Sequence, residues 1–268
     1  MSASYGIEGY VRRIWGSILG GAGALLLLTG CSGISASSTP TPEGLADAEP
    51  SASASATKKP KPKRTPTAVP AVPADWSPSA KDKTVYLTFD DGPWYQTEEI
   101  LDILEENGVT ATFFPIGKMM RTREAIMKRI VVDGHAIGGH TWDHIDLTKE
   151  SDKEVRFQLN RTAREIGPVQ GPCMRPPYGA IDGRVRALSV ASGMTPILWN
   201  RDTNDYQPKT SSGDIAATLA AAQPGDVVLL HDGGGDRSNT AAALKKVLPK
   251  LVARGYKFDS IPICRPAP

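Results

Sequence analysis

Four histidines are spread along the chain, and two of them, His140 and His144, stand four positions apart. On a helical turn that spacing puts both imidazoles on one face. With one carboxylate they would complete a two-histidine, one-carboxylate set, which holds a divalent ion and leaves positions open for water and substrate. The spacing alone is a weak signal, because two surface histidines produce it just as readily. It gains weight from Asp90-Asp91, an adjacent acidic pair followed by Gly92-Pro93. Neighbouring carboxylates repel each other, and a metal relieves this by neutralising one while the other acts as a base toward water at the ion. A plainer reading, in which one aspartate caps the Gly92-Pro93 turn, is compatible with that chemistry. Of the other histidines, His231 precedes Asp232, and His135 reads as structural or supporting.

Such residues need a scaffold that brings distant segments together. Residues 85–89 are short and β-rich, and from about Thr97 a helical pattern carries Ile100, Ile103 and Leu104 on one face before stopping at Asn107-Gly108. Strand-like runs recur at 111–116, 135–139, 173–175, 196–200, 227–231 and 256–261, and helical ones at 123–132, 185–191, 215–222 and 241–253. Ser151 with Glu154 forms a capping box that opens a further helix carrying Val155, Leu159 and Ile166. Pro249 lies inside the last helix, where a kink is expected. Seven strands alternating with six or so helices imply an α/β fold, a parallel sheet covered by helices. An incomplete β/α barrel fits best, with a doubly wound open sheet as the alternative. In both, reactive groups belong at the C-terminal ends of strands. Asp90-Asp91, His140 to His144, Arg175 to Gly179, Asp202 with Asp205, and His231-Asp232 all fall there.

Taken in order, Thr88-Phe89-Asp90-Asp91-Gly92-Pro93, His140-Thr141-Trp142-Asp143-His144, Arg175-Pro176-Pro177-Tyr178-Gly179, Asp202-Thr203-Asn204-Asp205 and Leu229-Leu230-His231 resemble the five motifs of the polysaccharide deacetylase family, carbohydrate esterase family four. The match runs from about Lys83 to the C-terminus. The resemblance implies a distorted, incomplete (β/α)7-type barrel and metal-dependent hydrolysis of N-acetyl groups. It implies Asp91, His140 and His144 as ligands of a divalent metal, zinc foremost, with cobalt or other divalent ions as alternatives. Asp90 resembles the general base, and Arg175 the arginine that pairs with it. The backbone N–H of Tyr178 would help to stabilise the tetrahedral oxyanion, and Leu229 would line the pocket for the acetyl methyl group. His231 resembles the general acid toward the leaving amine, with Asp205 orienting the imidazole and raising its pKa. Tyr206 stands where the family often has tryptophan, which bears on the groove wall. Asp202 belongs to its motif without an assigned task. Gly233-Gly234-Gly235 lacks a following Lys-Ser/Thr and reads as a mobile rim loop and not as a phosphate loop.

Composition divides the chain into three parts. Residues 1–31 read as an export signal: Arg12-Arg13, an apolar stretch too short for a comfortable membrane span, then Leu28-Thr29-Gly30-Cys31, which resembles a lipoprotein lipobox. Lipidation of Cys31 would anchor the protein at the outer face of the cell membrane; an uncleaved anchor helix or an ordinary signal peptide are the alternatives. Residues 32–80, rich in Ser, Ala, Pro and Lys, cannot bury a core and read as a disordered tether. The resemblance makes residues 81–268 the expected deacetylase domain. Cys173 and Cys264 either pair, adding about 4 kcal/mol in the chain-entropy model, or are separate buried thiols. A net charge of +2 argues against nucleic acid as a partner. The expected partner is a glycan, peptidoglycan first on location, with chitin oligomers or acetylated xylan as alternatives, and a monomer is expected. Two other classes compete: a non-haem iron oxygenase, which usually occupies an all-β scaffold, and a non-catalytic glycan-binding lipoprotein.

Overall fold

The computed structural model describes residues 83–266; the expected signal peptide, Cys31 and the tether lie outside the described residues. The central strand, β1 (Thr84–Asp90), is buried along nearly its whole length, as a parallel strand covered on both faces must be. Its period of two sends Val85, Leu87 and Phe89 into the large core shared with the helices. Tyr86, Thr88 and Asp90 take the opposite face, where Tyr86 joins Phe114, Cys173, Val227 and Cys264 in a second core inside the curl of the sheet. The alternation that packs the domain therefore also delivers Asp90 to the inner face at the end of the strand.

On one side of β1 lie β2 (Thr112–Phe114), β3 (Ala136–Gly139), β4 (Gln170–Met174) and β5 (Thr195–Pro196). On the other side β7 (Val227–His231) is followed by β6 (Arg201–Asp202), and β8 (Lys257–Phe258) pairs with the start of β1. Every pairing is parallel. The order β5-β4-β3-β2-β1-β7-β6 is that of a barrel opened between β5 and β6, which follow one another in the chain without pairing. The expected incomplete α/β barrel is thus borne out over the doubly wound alternative. The helices are α1 (Thr97–Glu106), α2 (Gly117–Met120), α3 (Glu124–Val132), α4 (Asp152–Ile166), α5 (Gly183–Ala191), α6 (Ser212–Ala220) and α7 (Ser238–Ala253). Their apolar stripes face the sheet, as in α1 with Ile100, Leu101, Ile103 and Leu104 buried.

Several local expectations need correction. The sheet has eight strands, not seven; β6 is a two-residue strand too short to show periodicity. The strand expected at 196–200 shrinks to β5, because the carbonyls of Ile197 and Leu198 bond the Arg175 guanidinium and not a neighbouring strand. The one expected at 256–261 ends at Phe258, and the Ile261 N–H donates to Thr112 Oγ1. At α4 only half of the capping box forms. Ser151 Oγ accepts from the Glu154 N–H, but the Glu154 carboxylate accepts from Gln158 Nε2. A full reciprocal box, which the sequence reading did not pick out, joins Ser211 and Asp214 at α6. Helix α7 runs as one element through Pro249.

Cys173 and Cys264 are joined as a disulfide spanning 91 residues. The bond ties β4 to the 3-10 turn Pro262–Cys264 and closes the inner core from below the catalytic end.

His135 is 7 % exposed, its ring lies 5.3 Å from that of Phe113, and its Nδ1 accepts the Ala111 N–H at 3.1 Å. Burial pulls its pKa down from 6.5 to about 4, against the charge of Asp133. The unfolded chain therefore binds a proton between these two values that the folded chain refuses, and stability falls as pH drops through that window. His135→Asn keeps an acceptor for Ala111 without the titration. In urea unfolding of chelated protein, the wild type is expected to lose about 2 kcal/mol more than the variant between pH 7 and about pH 5. Parallel losses would show that His135 does not titrate in that range.

Candidate active site

The reactive groups meet at the C-terminal ends of β1, β3, β4, β6 and β7. Arg175, just past β4, is completely buried beneath them. Its Nη1 donates to Asp90 Oδ1 at 2.9 Å and to Thr88 Oγ1 at 2.7 Å, and Nε and Nη2 donate to the Ile197 and Leu198 carbonyls. The guanidinium also lies 4.3 Å over the Phe114 ring. Burial draws the guanidinium pKa below its ordinary value, and the Asp90 charge opposes that shift. Asp90 is thereby fixed through Oδ1, and Oδ2 lies 3.8 Å from His140 Nε2.

Asp91 points elsewhere because the chain turns at it. Its φ is +73°, and the following Gly92-Pro93 bond is cis. Its Oδ1 lies 3.4 Å from His140 Nε2 and 3.2 Å from His144 Nε2, and it is buried with no hydrogen-bond partner. Burial disfavours its charge, but the close approach of His140, with the charges of His144 and His231, holds its carboxyl well below the usual carboxylate range. An orphaned buried carboxylate oxygen facing two ring nitrogens suits a divalent cation, and one donor atom from each of the three residues falls within 4.8 Å of the others.

The two histidines are not on a helix, contrary to the sequence expectation. They sit in a loop after β3 in which Thr141 and His144 both have positive φ, +63° and +59°. The backbone is held in this strained shape by other groups. The buried Gln158 of α4 accepts the N–H groups of Trp142 and Asp143, both at 2.9 Å, through one oxygen, and the His144 N–H donates to Thr141 Oγ1. His140 Nδ1 faces the Arg175 carbonyl at 2.7 Å; a carbonyl only accepts, so Nδ1 carries the proton and Nε2 is left for a ligand role.

Across the site, His231 Nδ1 lies 2.7 Å from Asp205 Oδ1, and the His231 backbone N–H donates to Asp205 Oδ2, as does Thr240 Oγ1. Burial works against the imidazolium, but the hydrogen bond and charge of Asp205, with Asp90 and Asp91 behind it, raise the pKa. With Nδ1–H committed to Asp205, Nε2 is the nitrogen free to exchange a proton. Leu229 is two residues earlier on the same inner face of β7, as the period of two requires. Tyr178, at φ +60°, is 69 % exposed, with its ring 4.7 Å from that of His144. Tyr206 is 45 % exposed, with its ring 5.4 Å from that of His231. Asp202 accepts the Asn204 N–H at 2.8 Å, a local turn that leads into Asp205.

Some positioning groups had no assigned role in the sequence reading. Asp232 is fully buried against Gly92, where a β-carbon would come within 1.9 Å of its carboxylate, so glycine is required there. It accepts from Thr97 Oγ1 at 2.7 Å, and its own N–H donates to the Asp90 carbonyl. The buried Arg237 donates to the Gly233 and Asp205 carbonyls at 2.7 and 3.1 Å. In the glycine loop, Gly233 is buried against the Asp91 backbone, and a β-carbon on the exposed Gly234 would reach within 2.6 Å of the Asp91 carboxylate. Gln158 did leave a signal, being a polar residue on the face of α4 that also carries Val155 and Leu159.

Comparison with known proteins agrees with this geometry. Residues 77–197 match the polysaccharide deacetylase family model. A peptidoglycan-N-acetylglucosamine deacetylase of Listeria monocytogenes is 38% identical over 189 residues, covering 69% of this chain and 39% of that protein. A chitooligosaccharide deacetylase of Azorhizobium caulinodans is 34% identical, covering 67% of this chain and 93% of that protein. Among solved structures, a peptidoglycan N-acetylglucosamine deacetylase superposes with a TM-score of 0.66 at 33% identity, over 71% of this chain and 91% of the other. The chain belongs to the polysaccharide deacetylase family. It spans about two-fifths of the length of the Listeria protein.

Gln158→Leu removes the single oxygen that holds the His140–His144 loop, while preserving side-chain bulk. Competition against a chromogenic chelator is expected to show roughly 10- to 100-fold weaker zinc binding, as for loss of an outer partner of a metal site, with an unchanged far-ultraviolet spectrum. Undiminished zinc affinity would mean that the loop keeps its shape without Gln158.

Proposed function

We propose that the protein is an exported, metal-dependent deacetylase that hydrolyses N-acetyl groups on the amino sugars of peptidoglycan. The observation that carries this reading is the split pair: Asp91 Oδ1 buried and unpartnered toward two imidazoles, and Asp90 held apart from it by Arg175. Asp91, His140 and His144 would hold a divalent ion, zinc or cobalt, which when bound polarises the amide carbonyl and acidifies water. Asp90, anchored through Oδ1, takes the proton of the attacking water at Oδ2. The N–H of Tyr178 meets the developing oxyanion, and Leu229 shapes the pocket for the methyl group. His231 delivers the proton from Nε2 to the amine as the C–N bond breaks, releasing acetate. Asp205 keeps that imidazole charged until then.

The choice of peptidoglycan is supported by the Listeria relative's name and by the export signal expected at 1–31, with Cys31 lipidated and the 32–80 tether extending the domain toward the wall. A second reading, a chitooligosaccharide deacetylase, is favoured by the relative whose length this chain nearly spans.

Acetate release by the full-length chain from peptidoglycan, chitin oligomers and acetylated xylan tests the reading. Chelation is expected to abolish release, and zinc or cobalt to restore it, on peptidoglycan foremost. Metal-loaded protein silent on all three would overturn it.

The role of His231 has its own test. Its acid form is required, so kcat is expected to fall as pH rises through its raised pKa. Asp205→Asn removes the charge that raises that pKa while burial remains, so the alkaline limb should move to lower pH, with a lower plateau. An unmoved limb would assign the titration to another group.

A further inference from the structure

Outside the metal site, the loop after β1 carries an aromatic and cationic cluster with no catalytic task. The Trp94 and Tyr95 rings meet edge-on at 5.0 Å, and the Arg123 guanidinium lies 4.3 Å over Trp94 and 5.8 Å from Tyr95. Tyr95 is 77 % exposed, the most of any large apolar side chain described. The loop beneath it is rigid: the Trp94 N–H donates to Thr97 Oγ1 at 2.7 Å, and Thr97 in turn bonds Asp232, next to His231. An aromatic ring held out in water on a fixed backbone is a stacking platform in search of a ring face.

Arg123 is the second half of the argument. Nearby cations have partners, Lys118 with Asp143 and Arg121 with Glu165. Arg123 makes no ion pair within 4.0 Å among the described residues; its side chain donates only to the hydroxyl of adjacent Thr122, at 3.3 Å. Stacking on Trp94 orients the guanidinium plane and leaves its fork available, a geometry suited to a carboxylate. Tyr95 follows metal-site Asp91 by four residues, so the platform lies within about 14 Å of it along even an extended chain. That is the reach of a short oligosaccharide.

We propose that Trp94, Tyr95 and Arg123 form a subsite for a carboxylate-bearing unit of the glycan, next to the sugar that loses its acetyl group. Tyr95 stacks on the pyranose ring, and Arg123 pairs with a carboxylate, either the lactyl group of a muramic residue or an acid of its peptide. This rests on the peptidoglycan reading above and adds the feature that would separate such strands from chitin, which has no carboxylate.

The test is equilibrium binding of the full-length protein, with a chelator present so that turnover does not intrude. The probes are intact glycan strands, strands stripped of peptide so that only lactyl carboxylates remain, and chitin tetramer. Arg123→Gln is expected to weaken binding to strands roughly tenfold, the size of one charge-assisted contact, and to leave the tetramer unaffected. Arg123→Lys should fall between. Loss confined to intact strands names the peptide acids; loss confined to stripped strands names the lactyl group, whose carboxyl is tied up as an amide while the peptide is attached; loss on both means that the fork takes either acid. Tyr95→Ala should weaken all three. Equal effects of Arg123→Gln on strands and tetramer, or no effect on either, would overturn the subsite. Tight strand binding that never leads to acetate release when metal is restored would instead sink the deacetylase reading and leave the subsite standing.

Discussion

A guanidinium shut away from water sets the terms for everything around it. Arg175 is the largest of the fully buried side chains, and an unpaired cation there would cost several kcal/mol. Its donors are taken by Asp90, the Thr88 hydroxyl and the carbonyls of Ile197 and Leu198, and its face rests on Phe114. These partners come from β1, the end of β2 and the segment after β5, so the curl of the barrel must bring three places together for the arginine to be tolerated at all. The same residue's carbonyl accepts from His140 Nδ1. One buried residue therefore fixes the carboxylate beside the metal site and the tautomer of a ligand within it.

Four carboxylates crowd one end of this barrel, and the protein handles each differently. Asp90 is matched by the arginine, and Asp91 faces two imidazoles. Asp205 accepts from His231, Thr240 and a backbone N–H. Asp232 has no cation: burial first, then the charges of Asp91 and Asp90, push its pKa up to about 7, against the pull of the Thr97 hydroxyl and a backbone N–H. A site with four full negative charges would repel itself apart; with one carboxyl near neutrality and the others paired, the end of the sheet holds together. Asp232 thus reads as a wedge that fixes the Gly92 turn, and its proton lowers the electrostatic cost of putting it there.

Residues whose role follows from strand alternation were legible in the sequence. The runs that became β1 and β7 are apolar and end in Asp90 and His231, so both inner face and strand end follow from pattern alone. The histidine loop was less so. A four-residue spacing suggests a helix, whereas the loop's positive φ values are enforced from outside by Gln158, which lies on the following helix, 16 residues on from Trp142. The disulfide is not legible in the sequence, because a separation of 91 residues says nothing about distance until β4 and the final turn are placed together. Arg237 and Asp232 act through backbone carbonyls and a glycine contact, which carry no pattern of residue types.

Burial divides the site by task. Asp90, His140, Arg175, Asp205 and His231 are all buried, whereas Tyr178, Tyr206 and Tyr95 stand well out of the surface around them. Proton transfer benefits from the first condition, because fixed donors and acceptors act at full strength only where water does not screen them. Glycan binding benefits from the second, since sugar rings stack on aromatic faces that are open beforehand. The two sets share backbone: the chain that presents Tyr95 is the one that turns at Asp91, and Tyr178 follows Arg175 by three residues. A change in a rim aromatic can therefore alter which glycan is held while the buried pairs, which answer to Arg175 and Asp205, keep their geometry.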